Sequence, residues 1–143
     1  MRRARLFLAL RLVGLLLIVA PFVFPAAPWW GLVCHRLPER ALWIFGEPMP
    51  ICSRCLGIFS GLGAGLAVAW PELPPRRLLL VVAFAALAML IEIASQEAGW
   101  HPVFHPTRLL SGLLLAYPIG ATAGALTRRA SFSAEISNER PPS

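Results

Sequence analysis

Four apolar stretches, each close to the length of a bilayer-spanning helix, constrain the fold of this chain more than any other feature. About 20 apolar residues in a helix cross a hydrocarbon core about 30 Å thick. The composition agrees, since 57% of the residues are hydrophobic, 14% are charged and the mean hydropathy is +0.68. These values exclude an ordinary soluble domain. We expect an all-α integral membrane protein, a compact bundle of four transmembrane helices at about 6–24, 52–69, 78–94 and 109–126.

The bundle is expected to form one membrane domain over residues 1–127. The polar stretch 128–143, which contains several serines and ends in Pro-Pro-Ser, is expected to be a disordered cytoplasmic tail. The start of the chain leaves an alternative open, because basic residues before a leucine-rich run are also typical of a cleaved signal peptide. That run is long, and no small-x-small cleavage site follows it before the prolines. We therefore expect the first span to be retained.

The arginines indicate membrane topology rather than a nucleic-acid partner. The net charge is +6 and the isoelectric point is near 11.0, but the basic residues flank the apolar runs instead of forming one stripe. With four spans, most arginines fall on the side that holds both termini, and the more basic side is cytoplasmic. We expect an N-in/C-in protein of the cytoplasmic membrane, with the lipid bilayer as partner, no nucleic acid bound, and the cysteine-bearing loop facing outward.

Three cysteines and a histidine in one short region are the candidates for chemistry. Cys52 and Cys55 form a Cys-X-X-Cys motif in the first turn of the second expected span, where the helix dipole and Arg54 favour thiolates. Cys34 can return to them because prolines bend the intervening loop. The odd number of cysteines excludes a fully disulfide-linked secreted fold. Thiolates with one imidazole are typical of zinc, or of another transition metal, so the pattern predicts a metal site.

The fourth ligand of that site has three candidates. His35 is nearest in sequence, although adjacent side chains of an extended backbone point to opposite faces. His101 and His105 lie in the other outer loop and are the alternatives. The choice between a structural and a catalytic metal stays open. If the metal is catalytic, Glu92 or His101 is the candidate base.

Two other functions are compatible with the same residues. A thiol-disulfide redox protein would use Cys52 and Cys55 with a quinone or thiol partner, although only Cys34 remains where a second cysteine pair would be needed. A small-solute or lipid transporter or enzyme would use Glu92 and Arg108, because intramembrane charges are rare and need a counter-ion. The polar cluster expected near the outer surface consists of Arg54, Glu92, Gln96 and Arg108.

Glycines at four-residue spacing mark one face of the second expected span. Gly57, Gly61 and Gly65 let a neighbouring helix approach closely, which predicts that this face is the packing centre of the bundle. The same face is a candidate contact between two copies of the chain.

Three short segments resemble a family of small, uncharacterised prokaryotic membrane proteins called domain of unknown function 2085. Segment 34–40 reads CHRLPER, which is similar to the family's Cys-His-X-X-Pro-X-Arg element. Segment 50–61 reads PICSRCLGIFSG and resembles its Cys-X-Arg-Cys-X-Gly-Ile element. Segment 107–112, TRLLSG, resembles its element at the last span. Glu92 stands where the family suggests aspartate, and the resemblance implies a membrane protein without implying an activity.

Overall fold

A computed structural model describes residues 2–35 and 37–139; Met1, Arg36 and residues 140–143 lie outside it. The described chain contains five α-helices, one 3₁₀ turn and one two-stranded antiparallel sheet. The elements are α1 (Arg2–Val23), α2 (Trp30–Val33), the 3₁₀ turn (Pro38–Arg40), β1 (Ala41–Ile44), β2 (Glu47–Cys52), α3 (Ser53–Val68), α4 (Pro75–Glu97) and α5 (His105–Glu139).

The prediction of an all-α bundle with four transmembrane helices is wrong. Over residues 2–35 and 37–139, two helices have the length and apolar composition to cross a membrane, Pro75–Glu97 and His105–Ala130. Helix α3 has 16 residues and is therefore about 24 Å long, short of a hydrocarbon core of about 30 Å. The apolar segment Leu8–Val23 of α1 is also below the required length. Length, rather than polarity, is what removes α3 from the set.

The second departure from an all-α fold is a β-hairpin between α2 and α3. Strands β1 and β2 pair antiparallel, and Ile44 opposite Glu47 closes a two-residue turn. Phe45 and Gly46 in that turn both have positive φ, at 52° and 84°. Positive φ at both central residues is the requirement of a type I′ turn, whose twist matches that of a hairpin. Met49 and Ile51 of β2 are buried, so the hairpin packs on the body of the protein.

Helices α3 and α5 pack with their backbones in close contact. A Cβ on Gly61 would lie 2.7 Å from the carbonyl oxygen of Leu113, and a Cβ on Gly57 would overlap the carbonyl of Leu109. The glycine face of α3 is thus covered by α5 of the same chain. The expected contact between two copies through Gly57, Gly61 and Gly65 is therefore replaced by an intramolecular one, since small residues serve whichever helix comes closest.

Helix α4 packs on α5 far more loosely. None of the 23 residues of α4, all of which the structure describes, is buried. Its outward side carries large apolar residues such as Leu87 and Ile91, as expected of a helix that contacts lipid.

Helix α5 is longer than the span expected at 109–126. It continues to Glu139, so the described part of the segment 128–143 is helical. Residues 140–143 of the expected disordered tail lie outside the described residues.

Candidate metal centre

Three different elements bring the cysteines together. Cys34 directly follows α2, Cys52 is the last residue of β2 and the N-cap of α3, and Cys55 lies one turn into α3. They rest on a core of Trp30, Cys34, Met49, Ile51 and Leu56. The Trp30 indole Nε1 donates a hydrogen bond of 2.7 Å to the carbonyl oxygen of Phe24, which fixes α2 against the end of α1. The positions of the thiols are therefore set by a packed core and not by a free loop.

The three sulfur atoms all lie within 4.8 Å of one another. Cys34 is buried and the other two are half-buried. The backbone N–H of Cys52 donates to Cys34 Sγ at 3.2 Å, a contact that stabilises negative charge on sulfur. Tetrahedral bonds of about 2.3 Å place thiolate sulfurs about 3.8 Å apart, so the observed cluster needs only a small contraction to hold one ion.

The thiols of Cys52 and Cys55 differ in acidity. A hydrogen bond from the Cys55 thiol lowers the pKa of Cys52 from 9.0 to about 5. The same bond, together with burial, raises the pKa of Cys55 because its proton is held against the neighbouring sulfur. The shared hydrogen bond therefore favours the thiolate form of Cys52 over that of Cys55.

The three histidines lie in three different environments. His35 is exposed and lines a cavity of about 210 Å³ next to the cysteines. His105 Nδ1 lies 3.3 Å from the hydroxyl of the buried Ser53, and His101 Nε2 lies 2.8 Å from the hydroxyl of Ser95. Within the described part of the chain, no histidine nitrogen or carboxylate oxygen joins the three sulfurs in their group.

A polar cluster surrounds Glu92 beside the cysteines. Arg54 Nη2 donates to Glu92 Oε2 at 3.3 Å, and the two side chains are 13% and 11% exposed. The ion pair thus links α3 to α4, whereas the sequence suggested Arg108 as the partner. Arg108 instead donates through Nη1 to Gln96 Oε1 at 3.1 Å, and Gln96 Nε2 donates to Glu92 Oε1 at 3.2 Å.

Sequence reasoning missed two members of this cluster. The hydroxyl groups of Thr107 and Ser111 donate to Glu92 at 2.7 and 3.0 Å. Their spacing of four residues in the first turns of α5 is the signal that could have found them, since it places both on one face of the helix.

The apolar groove between α4 and α5 ends at this cluster. It has a volume of about 600 Å³, and its polar lining is Glu92, Thr107 and Ser111. Arg54 lines the cysteine cavity but binds Glu92, so one ion pair lies between the cavity and the groove.

A known protein family matches the part of the chain that contains the cysteines and the polar cluster. The family described as "Predicted membrane protein (DUF2085)" matches residues 34–122, which begin at Cys34 and include the other two cysteines and the polar cluster. The chain belongs to this family. The family predicted from the sequence is thereby confirmed, and the protein is a membrane protein.

Two archaeal proteins are similar to the chain. An uncharacterised protein of Methanocaldococcus jannaschii is 27% identical over 97 residues, which cover 63% of this chain and 60% of that protein. An uncharacterised protein of Methanothermobacter thermautotrophicus is 31% identical over 100 residues, which cover 67% of this chain and 85% of that protein. The chain thus spans less than two thirds of the first relative. No solved structure matches the chain.

Proposed function

We propose that this membrane protein binds one transition-metal ion, zinc, through Cys34, Cys52 and Cys55. The observation that carries the proposal is that three free thiols from three separate elements have their sulfur atoms within 4.8 Å. Thiolates are soft ligands and favour zinc over magnesium or calcium. Because the residues come from the end of α2, the end of β2 and α3, a bound ion would fasten the hairpin to the helices.

The environment supports a metal-bound, fully deprotonated cluster. Cys34 already accepts an N–H bond, and Arg40, Arg54 and Arg108 line the cavity beside the sulfurs. Positive charge near a cysteine favours its thiolate form over its thiol form. The proposed function needs the three sulfurs only, so His35, His101 and His105 are not required for the ion to bind.

The test is metal content after purification in detergent without chelator. We expect about one zinc per chain, and a loss of thermal stability when a chelator removes it. Cys34→Ser and Cys52→Ser should each lose the metal. His101→Ala is the matched control and should keep it, because that imidazole lies against Ser95. A wild-type protein that holds less than about a tenth of an equivalent after incubation with zinc contradicts the proposal.

The histidine next to the cluster is tested in the same experiment. We expect His35→Ala to retain zinc, since His35 is exposed and does not belong to the group of sulfurs. Loss of zinc in His35→Ala but not in His101→Ala would identify His35 as a ligand.

A thiol-disulfide redox function is the second candidate, favoured by the short distance between the two free thiols of Cys52 and Cys55. The hydrogen bond from the Cys55 thiol lowers the pKa of Cys52, which favours Cys52 as the nucleophile of the pair. Oxidation of the two thiols to a Cys52–Cys55 disulfide releases two electrons and two protons, which reduce one quinone to a quinol or one partner disulfide to two thiols. The variant Cys34→Ser separates the functions, because it should lose metal yet still form that disulfide.

A further inference from the structure

We propose that the fourth position of the bound metal is taken by a small exchangeable anion held by Arg54 and Arg108. This inference rests on the proposed metal site. It assigns a ligand-binding role to the cavity of about 210 Å³ that the sulfurs and the arginines line together. The chemical class is a small inorganic anion or a short carboxylate.

The cysteines leave one position of a tetrahedral ion free. Zinc in proteins takes four ligands, and a fourth position without a protein ligand is filled from solvent or by a substrate. Over the described residues, the group of close donor atoms consists of three sulfurs and no other ligand atom. The fourth ligand therefore has to enter from the cavity, to which all three sulfurs contribute.

The size of the cavity limits what enters. At about 30 Å³ for each water molecule, a volume of about 210 Å³ corresponds to roughly seven waters. This space accommodates a small ion with a few waters.

Two buried guanidinium groups supply the recognition. Arg108 is 2% exposed, and its Nε has no hydrogen-bond partner among the described residues. The Nε of Arg54 is buried and unpartnered in the same way. An unpaired buried donor is costly, and guanidinium bonds to anions are among the strongest in proteins. Both guanidinium groups line the cavity, so they are placed to donate to an incoming anion.

The charges around the cavity balance before the anion binds. Arg54 and Arg108 carry two positive charges against the one negative charge of Glu92. Arg40, at the rim, is already paired with Glu97 at 2.7 Å. A zinc ion with three thiolates carries one negative charge, so the pocket is neutral before the anion arrives.

The experiment replaces zinc by Co²⁺, whose absorption reports on its ligands. Cobalt–thiolate charge-transfer bands show that the three sulfurs are bound, and the d–d bands change when the fourth ligand changes. Sodium azide is the probe, titrated into the full-length protein in detergent at constant ionic strength. We expect a saturable change of the d–d bands while the charge-transfer bands persist.

The variants locate the anion. Arg108→Gln should weaken the apparent azide affinity about tenfold or more, since it removes a charged donor. Arg129→Gln is the control and should leave the titration unchanged, because Arg129 is 74% exposed and paired with Glu72. Equal azide affinity in wild type and Arg108→Gln overturns the proposal. If Arg108→Gln fails to fold, wild type is titrated with neutral imidazole and the result is compared with that for azide. Imidazole that binds as tightly as azide overturns the proposal.

The outcomes for the metal and for the anion are distinct. Absence of cobalt–thiolate bands in wild type overturns the metal site and the anion site together. Thiolate bands without any response to azide overturn the anion site alone. A third outcome combines two results: wild type does not respond to azide, and the d–d bands recorded without azide differ between wild type and His35→Ala. This outcome assigns the fourth position to His35.

Discussion

Helices α3 and α4 both pack against α5, but they do so by opposite means. At the α3–α5 interface glycines bring backbone against backbone, as at Gly61, where an added Cβ would lie 2.7 Å from the Leu113 carbonyl oxygen. Helix α4 buries none of its residues and is joined to α3 and α5 through the hydrogen bonds of Glu92. Lipid chains are as apolar as leucine, so apolar contact alone does not hold helices together in a bilayer. Close backbone packing holds α3 against α5, and polar bonds hold α4 in place.

The largest effect is expected where the polar bonds converge. Glu92→Gln removes the charge that Arg54 pairs with and leaves a mostly buried guanidinium without a counter-ion. We expect a loss of about 3–5 kcal/mol in the free energy of unfolding, measured by titration with a denaturing detergent. Glu97→Gln is the matched control, because its ion pair with Arg40 is exposed and is worth about 0–1 kcal/mol. Equal losses in the two variants would show that α4 does not depend on the Glu92 cluster.

An intermediate effect is expected at the glycine interface. Gly57→Ala places a methyl group against the carbonyl of Leu109, and overpacking of this kind costs about 1–3 kcal/mol. Gly31→Ala is the control, since no described heavy atom lies within 4 Å of the added Cβ. The same unfolding titration distinguishes them. A Gly57→Ala protein as stable as wild type would mean that α3 and α5 do not pack as closely as described.

The smallest effect is expected on the outer side of α4. Leu87 is 56% exposed, so Leu87→Ala should change the free energy of unfolding by less than about 0.5 kcal/mol. The same truncation at Leu66, which is 7% exposed on α3, is the positive control and should cost about 2–5 kcal/mol. A large effect at Leu87 would indicate a partner on α4 that covers this side.

The convergence of the cysteines was accessible from the sequence because it follows from chemistry and local geometry. The Cys-X-X-Cys spacing, together with the need for Cys52 to begin the helix, places two sulfurs on one face, and the structure brings Cys34 to them. The family was accessible through the same residues. The fourth ligand of the site was not accessible from the sequence, because it depends on how a separate loop packs.

The number of spanning helices and the presence of a sheet could not be predicted from the sequence. An apolar run predicts a helix but not its ends, and α3 stops at Val68 with Ala69 in the left-handed region at φ 54°. The hairpin was hidden because Pro48 and Pro50 argue against a strand. The partner of Glu92 was also hidden, since Arg54 and Arg108 are both plausible until the helices are placed.

The exposed turn of the hairpin offers a handle on sidedness. Phe45 is fully exposed, and a Cβ on Gly46 would meet no heavy atom within 4 Å. A short epitope inserted between them would lie outside the sulfur cluster yet on the same strand pair that ends at Cys52. Antibody access to that epitope in intact cells would therefore report on which side of the bilayer the sulfur cluster lies.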